Sequence, residues 1–192
     1  MDRSIVEAAR GGDHAAFDAL VRTEVDRVYR LALAITGNES DAADAVQETF
    51  VAAWRKLRDL RDADAFDAWL TRLTINASRM SLRTRRRRFV REIPVADVDP
   101  GARRPAPTGE GAGSLSTSSS SPDAREDGMD LRAALARLPA EQRSLLALRH
   151  LEGRGIAEIA GVLGIPEGTA KSRLFAARRA LERALDEGAR HG

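Results

Sequence analysis

The sequence predicts an all-α protein of two small helical domains joined by a flexible linker, the second of which contains a helix-turn-helix. Three observations support this prediction. Apolar residues recur at the helical period on both sides of the chain's middle, and no alternating segment is long enough for a sheet. Residues 94–128, between these two parts, are rich in proline, glycine and serine. Only 4% of the 192 residues are aromatic, which suits small cores of leucine, valine, isoleucine and alanine.

The amino-terminal unit, which we place at residues 1–93, is predicted to contain three helices. An amphipathic pattern runs from Asp13 to Ile35 and ends at the stop signal Gly37-Asn38. A second helix is expected from about Ser40 to Leu57. A third starts near Asp64 and continues into a cluster of arginines. The large aromatic residues of this unit are expected in its core: Trp54, Phe66 and Trp69.

The middle segment, residues 94–128, has too few large apolar side chains to offset the entropy lost on ordering, so we interpret it as the linker. The carboxy-terminal unit, residues 129–192, follows it. Its short third helix, tight glycine-containing turn and longer basic fourth helix are the pattern of a helix-turn-helix. The four predicted helices of this unit are Asp130–Leu138, Ala140–Leu151, Ile156–Leu163 and Glu167–Asp186.

The last of these helices separates an apolar face from a polar one. Alanine and leucine recur at helical spacing from Ala170 to Leu181, so one face is expected in the core. Gly164 can adopt the left-handed conformation of a sharp turn, and Pro166 suits a helix start. The alternative is an ordinary helical hairpin with a solvated basic face, but an aromatic residue on that face favours DNA contact. The outward residues are Thr169, Lys171, Ser172, Arg173, Phe175, Arg178 and Arg179.

Charge is unevenly distributed, although the formal net charge is only +2. Residues 83–91 contain six arginines and no acid, at a helix end whose dipole suits cations. They could be a solubilising helix end, but nucleic-acid contact is favoured because a second DNA-binding unit lies in the same chain. The segment 39–48 carries four acids and no base, so DNA would repel it. Acids suit a helix start, but Gln47 and Glu48 lie past the first turn, which favours a basic protein partner.

Several function classes find no support in the sequence. The chain has no cysteine, its three histidines stand at no metal-ligand spacing, and no phosphate-binding loop or nucleophile motif occurs. We therefore predict no metal, no cofactor and no catalytic residue, that is, a protein that is not an enzyme. No apolar run approaches a membrane span, and the first residues lack the hydrophobic stretch of a signal peptide. A cytoplasmic protein is expected.

The order of these segments resembles the extracytoplasmic-function (ECF) group of sigma factors of bacterial RNA polymerase. DAADAVQETFVAAWRKL (41–57) resembles the polymerase-binding helix of that group. FDAWLTRLTINASRMSLRTRRRR (66–88) resembles the helix that melts and binds the minus-ten promoter element, and residues 138–181 resemble the minus-thirty-five-binding domain. The resemblance implies a subunit that directs promoter recognition, DNA melting and transcription initiation. A stand-alone helix-turn-helix regulator is the alternative, although it would have no use for the acidic helix face.

The resemblance also implies partners and their contact residues. The partners are core RNA polymerase, promoter DNA as duplex and as melted non-template strand, and an anti-sigma factor. Met80 stands where the group often has an acidic or polar residue, so the promoter preference linked to that position is not carried over. The implied contacts are Asp41, Asp44, Gln47 and Glu48 for polymerase; Asp62, Phe66, Asn76, Arg79, Arg83, Arg85 and Arg86 for the minus-ten element; and Thr169, Lys171, Ser172, Arg173, Phe175 and Arg178 for the minus-thirty-five element.

Overall fold

The structure is a computed structural model that describes residues 2–91 and 122–190, with side chains described for 2–85 and 130–190. These residues form helices joined by short turns and contain no strand, which confirms the all-α prediction. The helices are α1 (Arg3–Arg10), α2 (His14–Thr36), α3 (Glu39–Lys56), α4 (Phe66–Arg91), α5 (Pro122–Arg137), α6 (Ala140–Leu146), α7 (Ile156–Leu163) and α8 (Glu167–Ala189).

Side-chain caps fix the ends of the long amino-terminal helices. The Asp13 carboxylate accepts hydrogen bonds from the backbone N–H groups of Ala15 and Ala16, at 2.8 and 3.1 Å, and so starts α2. Gly37 ends α2 with a φ of 76°, a left-handed conformation that costs glycine little. The Asn38 side chain then accepts from the Asp41 N–H at 2.9 Å and starts α3. The predicted boundaries of these two helices are therefore confirmed within one or two residues.

Three elements differ from the sequence-based expectation. The helix α1, only eight residues long, was not predicted; Val6 and Ala9 bury its apolar side in the amino-terminal core. The helix α5 starts at Pro122 instead of Asp130, because proline is well suited to a first helical turn. The helix predicted to end at Leu151 changes after Leu146 into a π-helical turn, Ala147–Leu151. Of the predicted linker, residues 94–121 lie outside the described residues.

The helices α1 to α4 form the core of the amino-terminal unit. Val6, Leu20 and Leu70 lie there with almost no exposure, and Phe66 is 2% exposed as expected. The prediction that Trp54 is a core residue is wrong, since it is 38% exposed. Its indole lies near the start of α2, where its ring centre is 4.6 Å from that of His14 and 4.9 Å from that of Phe17.

The carboxy-terminal unit packs on the amino-terminal unit, a contact that the sequence did not predict. Leu145, Leu148 and Ile159 are buried in the core of the carboxy-terminal unit. Leu31 and Ile35 of α2 and Ile75 of α4 belong to the same buried cluster. The two units therefore share one apolar core in this conformation.

Candidate functional site

The helix-turn-helix is built by α7, its turn and α8. Gly155 starts α7, and its N–H donates to the Glu158 carboxylate at 2.7 Å. Gly164 ends α7 with a φ of 66°, so the predicted left-handed turn is confirmed. Ala170, Leu174 and Ala177 are at most 5% exposed, which confirms the predicted core face of α8. The opposite face of α8 is therefore held outward by its packing.

This outward face of α8 is cationic and carries an exposed aromatic ring. Phe175 is 64% exposed, an unfavourable position for a large apolar ring unless a partner covers it. The guanidinium of Arg173 forms an ion pair with Glu141 of α6, so part of its charge is used within the unit. Thr169 is half-buried. The exposed residues are Lys171, Ser172, Arg173, Phe175, Arg178 and Arg179.

The second cationic surface lies on α4. Asn76 is exposed, so its amide is available to a ligand. Arg83 and Arg85 are also exposed, whereas Arg79 is partly buried and its Nε has no hydrogen-bond partner within the described residues. The side chain of Arg86 lies outside the described residues.

Two residues expected near the minus-ten element lie at the start of α4. Asp62 is exposed, and its carboxylate accepts from the Asp64 N–H at 3.0 Å, which caps a short 3-10 turn. Phe66 is 2% exposed in the amino-terminal core and cannot contact DNA in this conformation. We therefore assign Phe66 to packing and leave it out of the candidate DNA surface.

The acidic side of α3 contains three exposed residues and one buried residue. Asp44, Gln47 and Glu48 are exposed. Asp41 instead turns inward, is 8% exposed, and accepts a hydrogen bond from the Arg85 guanidinium of α4 at 2.9 Å. The expectation that Asp41 faces a partner is therefore corrected, because this ion pair engages its carboxylate.

The acidic side of α3 and the cationic end of α4 also form the walls of a groove. Asp44 and Glu48 line one wall, and Ser81 and Thr84 line the other. Met80, which is 59% exposed, also lines the groove. The groove therefore offers a partner an apolar contact with carboxylates beside it.

A charge cluster between the two units was not predicted from the sequence. The Arg27 guanidinium of α2 lies 2.7 Å from Glu152, and the Arg154 guanidinium lies 2.7 Å from Asp67 of α4. Arg154 also lies 2.8 Å from Glu152, and both arginines donate to the Thr71 hydroxyl. We call Arg27, Asp67, Glu152 and Arg154 the interdomain cluster. The cluster could not be predicted from the sequence, because the residues that meet across the two units, Thr71 included, lie 83 to 125 positions apart.

Both arginines of the interdomain cluster keep their charge despite burial. Burial lowers the pKa of Arg27, but the carboxylates of Glu152 and Glu24 outweigh it and the net pKa shift is upward. The pKa of Arg154 is raised in the same way, since hydrogen bonds to Glu152 and Asp67 exceed the effect of burial. The side chains of Glu152 and Arg154 are only 6% and 11% exposed. The ion pairs therefore lie in a partly dehydrated interface, where they are stronger than surface pairs.

A further contact joins α4 to the helix-turn-helix itself. The Arg72 guanidinium donates to the backbone carbonyls of Val162, at 2.8 Å, and Gly161, at 2.6 Å. These carbonyls lie in the last turn of α7, where a cation is stabilised by the helix dipole. The helix α4 therefore contacts the first helix of the helix-turn-helix directly.

The described residues contain no group of three metal-ligating side chains that could hold an ion. Among these residues, no helix combines the length and apolar character needed to cross a membrane.

Comparison with known proteins gives matches over both units. The Sigma-70 region 2 family model matches residues 20–88, and the Sigma-70, region 4 model matches residues 128–181. The chain is 34% identical to the RNA polymerase sigma-H factor of Pseudomonas aeruginosa, over 96% of this chain and 93% of that protein. It is 36% identical to the ECF RNA polymerase sigma factor SigE of Mycolicibacterium smegmatis, over 88% of this chain and 63% of that longer protein.

A solved structure shares the fold across both units. It is that of the sigma factor RpoE in complex with the anti-sigma factor NepR from Bartonella quintana. The TM-score is 0.62 at 25% identity, over 88% of this chain and 96% of that chain. The two family models fall on the two helical units of the chain. The chain belongs to the sigma-70 family, in its extracytoplasmic-function group.

Proposed function

We propose that this chain is a promoter-specificity subunit that binds core RNA polymerase and directs promoter recognition, DNA melting and transcription initiation. The observation that carries the proposal is the combination of three surfaces in one chain. The α8 face is cationic and exposed, the end of α4 is rich in arginine, and α3 presents exposed carboxylates. DNA attracts the first two surfaces and repels the third, so the third needs a protein partner.

Each surface has a chemical role in this proposal. Lys171 and Arg178 donate to base edges and phosphates of the duplex minus-thirty-five element. Asn76, with its exposed amide on α4, contacts an unstacked base of the melted non-template strand, and trapping that base shifts the melting equilibrium toward open DNA. Asp44 and Glu48 bind a basic surface of polymerase. The chain itself breaks and forms no covalent bond, and it acts in the cytoplasm, where polymerase and promoter DNA are found.

The domain boundaries belong to the same proposal. Residues 1–93 carry polymerase and minus-ten binding, residues 129–192 carry minus-thirty-five binding, and 94–128 connect them. The family models support the two functional units, since they match 20–88 and 128–181.

An anti-sigma factor is a further proposed partner. A structural relative was solved in complex with the anti-sigma factor NepR, and the groove beside Met80 and Asp44 offers an apolar contact next to carboxylates. Overproducing the chain in cells tests this partner, because excess chain should exceed the anti-sigma factor and raise reporter transcription. Reporter output that did not depend on the amount of soluble chain would contradict the idea that an anti-sigma factor holds the chain inactive by binding it.

Footprinting on promoter duplexes, with and without core polymerase, separates this proposal from a stand-alone regulator. A sigma factor protects both promoter elements only when core polymerase is present. A stand-alone helix-turn-helix regulator protects one specific site by itself and gains nothing from polymerase. A specific footprint of the free chain that polymerase leaves unchanged would contradict the proposal.

A further inference from the structure

We propose that α1 positions the loop between α3 and α4, residues 57–65, and that this positioning sets base discrimination at the minus-ten element. Arg10 is the main positioning residue. The placement of the loop rests on contacts within the amino-terminal unit alone. Its consequence for base discrimination rests on the proposed function, so the experiments below measure the two separately. The helix α1 lies outside residues 20–88, which the region 2 model matches.

The loop has a buried side and an exposed side. It consists of two 3-10 turns, Leu57–Asp59 and Ala63–Ala65, joined by extended backbone. Leu57, Leu60 and Ala63 are at most 8% exposed, and this spacing of three matches the three residues per turn of a 3-10 helix. The charged residues between them are exposed: Arg58, Asp59, Arg61, Asp62 and Asp64. The buried residues therefore anchor the loop while its polar groups face a ligand.

Arg10 of α1 holds the middle of the loop through its backbone. One guanidinium nitrogen of this half-buried side chain donates to the carbonyl of Leu60 at 3.2 Å and to that of Arg61 at 3.3 Å. Both carbonyls lie between the two 3-10 turns, directly before Asp62. A hydrogen bond from a charged donor is stronger than one between neutral groups. Arg10 therefore fixes the backbone that carries the Asp62 side chain.

One face of α1 carries all of its contacts with the loop that this proposal uses. Arg3, Val6 and Arg10 are spaced at i, i+3 and i+7, so they lie on one side of the helix. Val6 is buried in the same apolar cluster as Leu57, Leu60 and Ala63. Arg3 pairs with Asp64 at 2.9 Å, and both side chains are exposed, so this pair orients the loop and contributes little stability. Two arginines and an apolar anchor thus join α1 to the loop.

A loop held in one shape can discriminate between bases better than a loop that changes shape. A base that fits fixed donors and acceptors binds well, whereas a loop that must first be ordered loses part of that binding energy. Asp62 is exposed on this loop, and Asn76 is exposed on the helix that follows it. Loss of Arg10 should therefore weaken base discrimination at the minus-ten element. It should leave the α3 and α8 surfaces unchanged.

Amide hydrogen exchange in the full chain tests the positioning without DNA. The N–H groups of Leu60, Asp64 and Ala65 each donate a hydrogen bond within the loop and report its opening. Arg10→Ala should raise their exchange rates about tenfold, because two hydrogen bonds from a charged donor are lost. Arg10→Lys should raise them less, because an ammonium group keeps the charge and a donor. Arg22→Ala, which removes an exposed arginine of α2, is the matched control and should change them less than about twofold.

Transcription with core polymerase tests the consequence. Promoters with a randomised minus-ten element are transcribed with the parent chain or each variant, and the base preference at every position is read from the transcripts. Arg10→Ala should lower the preference at one or two adjacent bases by about five- to tenfold. The affinity for core polymerase and the preference in the minus-thirty-five element should not change. A role in stability alone would lower transcription from all promoters alike and leave the base preference unaltered.

A covalent tie between α1 and the loop provides a second variant that keeps Arg10. The chain has no cysteine, so Arg3→Cys with Asp64→Cys, both at exposed positions, can be joined by a short bis-thiol crosslinker. The crosslink should slow exchange of the loop amides by about threefold or more relative to the uncrosslinked double variant, and it should sharpen the base preference. Added to Arg10→Ala, it should restore the preference of the parent chain.

The outcomes separate the positioning from the proposed function. Parent-like exchange in a folded Arg10→Ala variant, or loop exchange that the crosslink does not slow, would overturn the positioning. Raised exchange together with parent-like base preference at every position would overturn its role in base discrimination. A parent chain that shows no base preference anywhere in the minus-ten element would contradict the proposed function, and the exchange rates would then decide the positioning by themselves.

Discussion

Charge reversal on α3 tests the proposed polymerase surface, and the structure dictates which acids to change. Asp44 and Glu48 are exposed and form no ion pair within the described residues, so Asp44→Arg with Glu48→Arg should leave the fold intact. Asp41 stays unchanged because its carboxylate is buried and paired with Arg85. Replacing Asp41 would break this ion pair, and the resulting folding defect could be mistaken for a binding defect.

The expected loss of affinity follows from Coulomb's law. Two unit charges 4 Å apart in water interact with about 1 kcal/mol, so a reversal that turns attraction into repulsion changes each contact by about 2 kcal/mol. Screening at ordinary salt reduces the sum for two residues to about 2–3 kcal/mol. This corresponds to a Kd for core polymerase that is roughly 30- to 150-fold weaker.

Competition binding of a labelled chain to core polymerase measures this change. The matched control is Asp18→Arg with Asp26→Arg, which makes the same change in net charge at exposed positions of α2. The control should change the Kd less than threefold. Equal loss in both variants, or no loss in a folded Asp44→Arg, Glu48→Arg variant, would refute the assignment of the α3 face.

Three further predictions concern DNA binding, stability and the linker. Lys171→Ala should cost about 1–3 kcal/mol in binding to duplex minus-thirty-five DNA and relax specificity at one base pair, whereas uniform weakening across sequences would mean a phosphate contact. Ile159→Ala should lower the free energy of unfolding by about 2–5 kcal/mol, and Leu151→Ala, at a 48% exposed position, by much less; equal losses in chemical denaturation would contradict the described core. Replacing residues 94–121, the part of the predicted linker that precedes α5, by neutral glycine and serine should keep promoter binding but alter abortive synthesis and promoter escape if the linker acts in initiation. Wild-type promoter escape would leave it only a tether.

The local structure of this chain could largely be predicted from its sequence. Capping residues and glycines mark the helix ends, so the boundaries at Asp13, Gly37 and Gly164 follow from short-range chemistry. The core face of α8 follows from helical periodicity alone. The prediction for Trp54 is wrong because helical periodicity indicates which face of a helix is apolar. It does not indicate whether a neighbouring helix covers the whole length of that face.

Contacts between distant segments could not be predicted in the same way. Nothing in the sequence around Arg27 or Glu152 indicates that they meet, because charged residues of both signs are frequent on solvated helix faces. The inward position of Asp41 could not be predicted for the same reason, since its partner Arg85 lies 44 residues further along the chain. The candidate surfaces were thus predictable as residue types on helix faces, whereas their mutual arrangement depends on the packing of the two units.

The central claim is that this chain gives core polymerase its promoter specificity. Run-off transcription with purified core polymerase on a promoter library, with permanganate detection of unpaired thymines, measures it most directly. We expect transcripts and an unpaired minus-ten segment on a defined subset of promoters, only when both chain and core polymerase are present, and a loss of both signals with Asp44→Arg and Glu48→Arg. Specific binding of duplex DNA by the folded chain without polymerase, together with no polymerase-dependent transcript from any promoter, would contradict the claim.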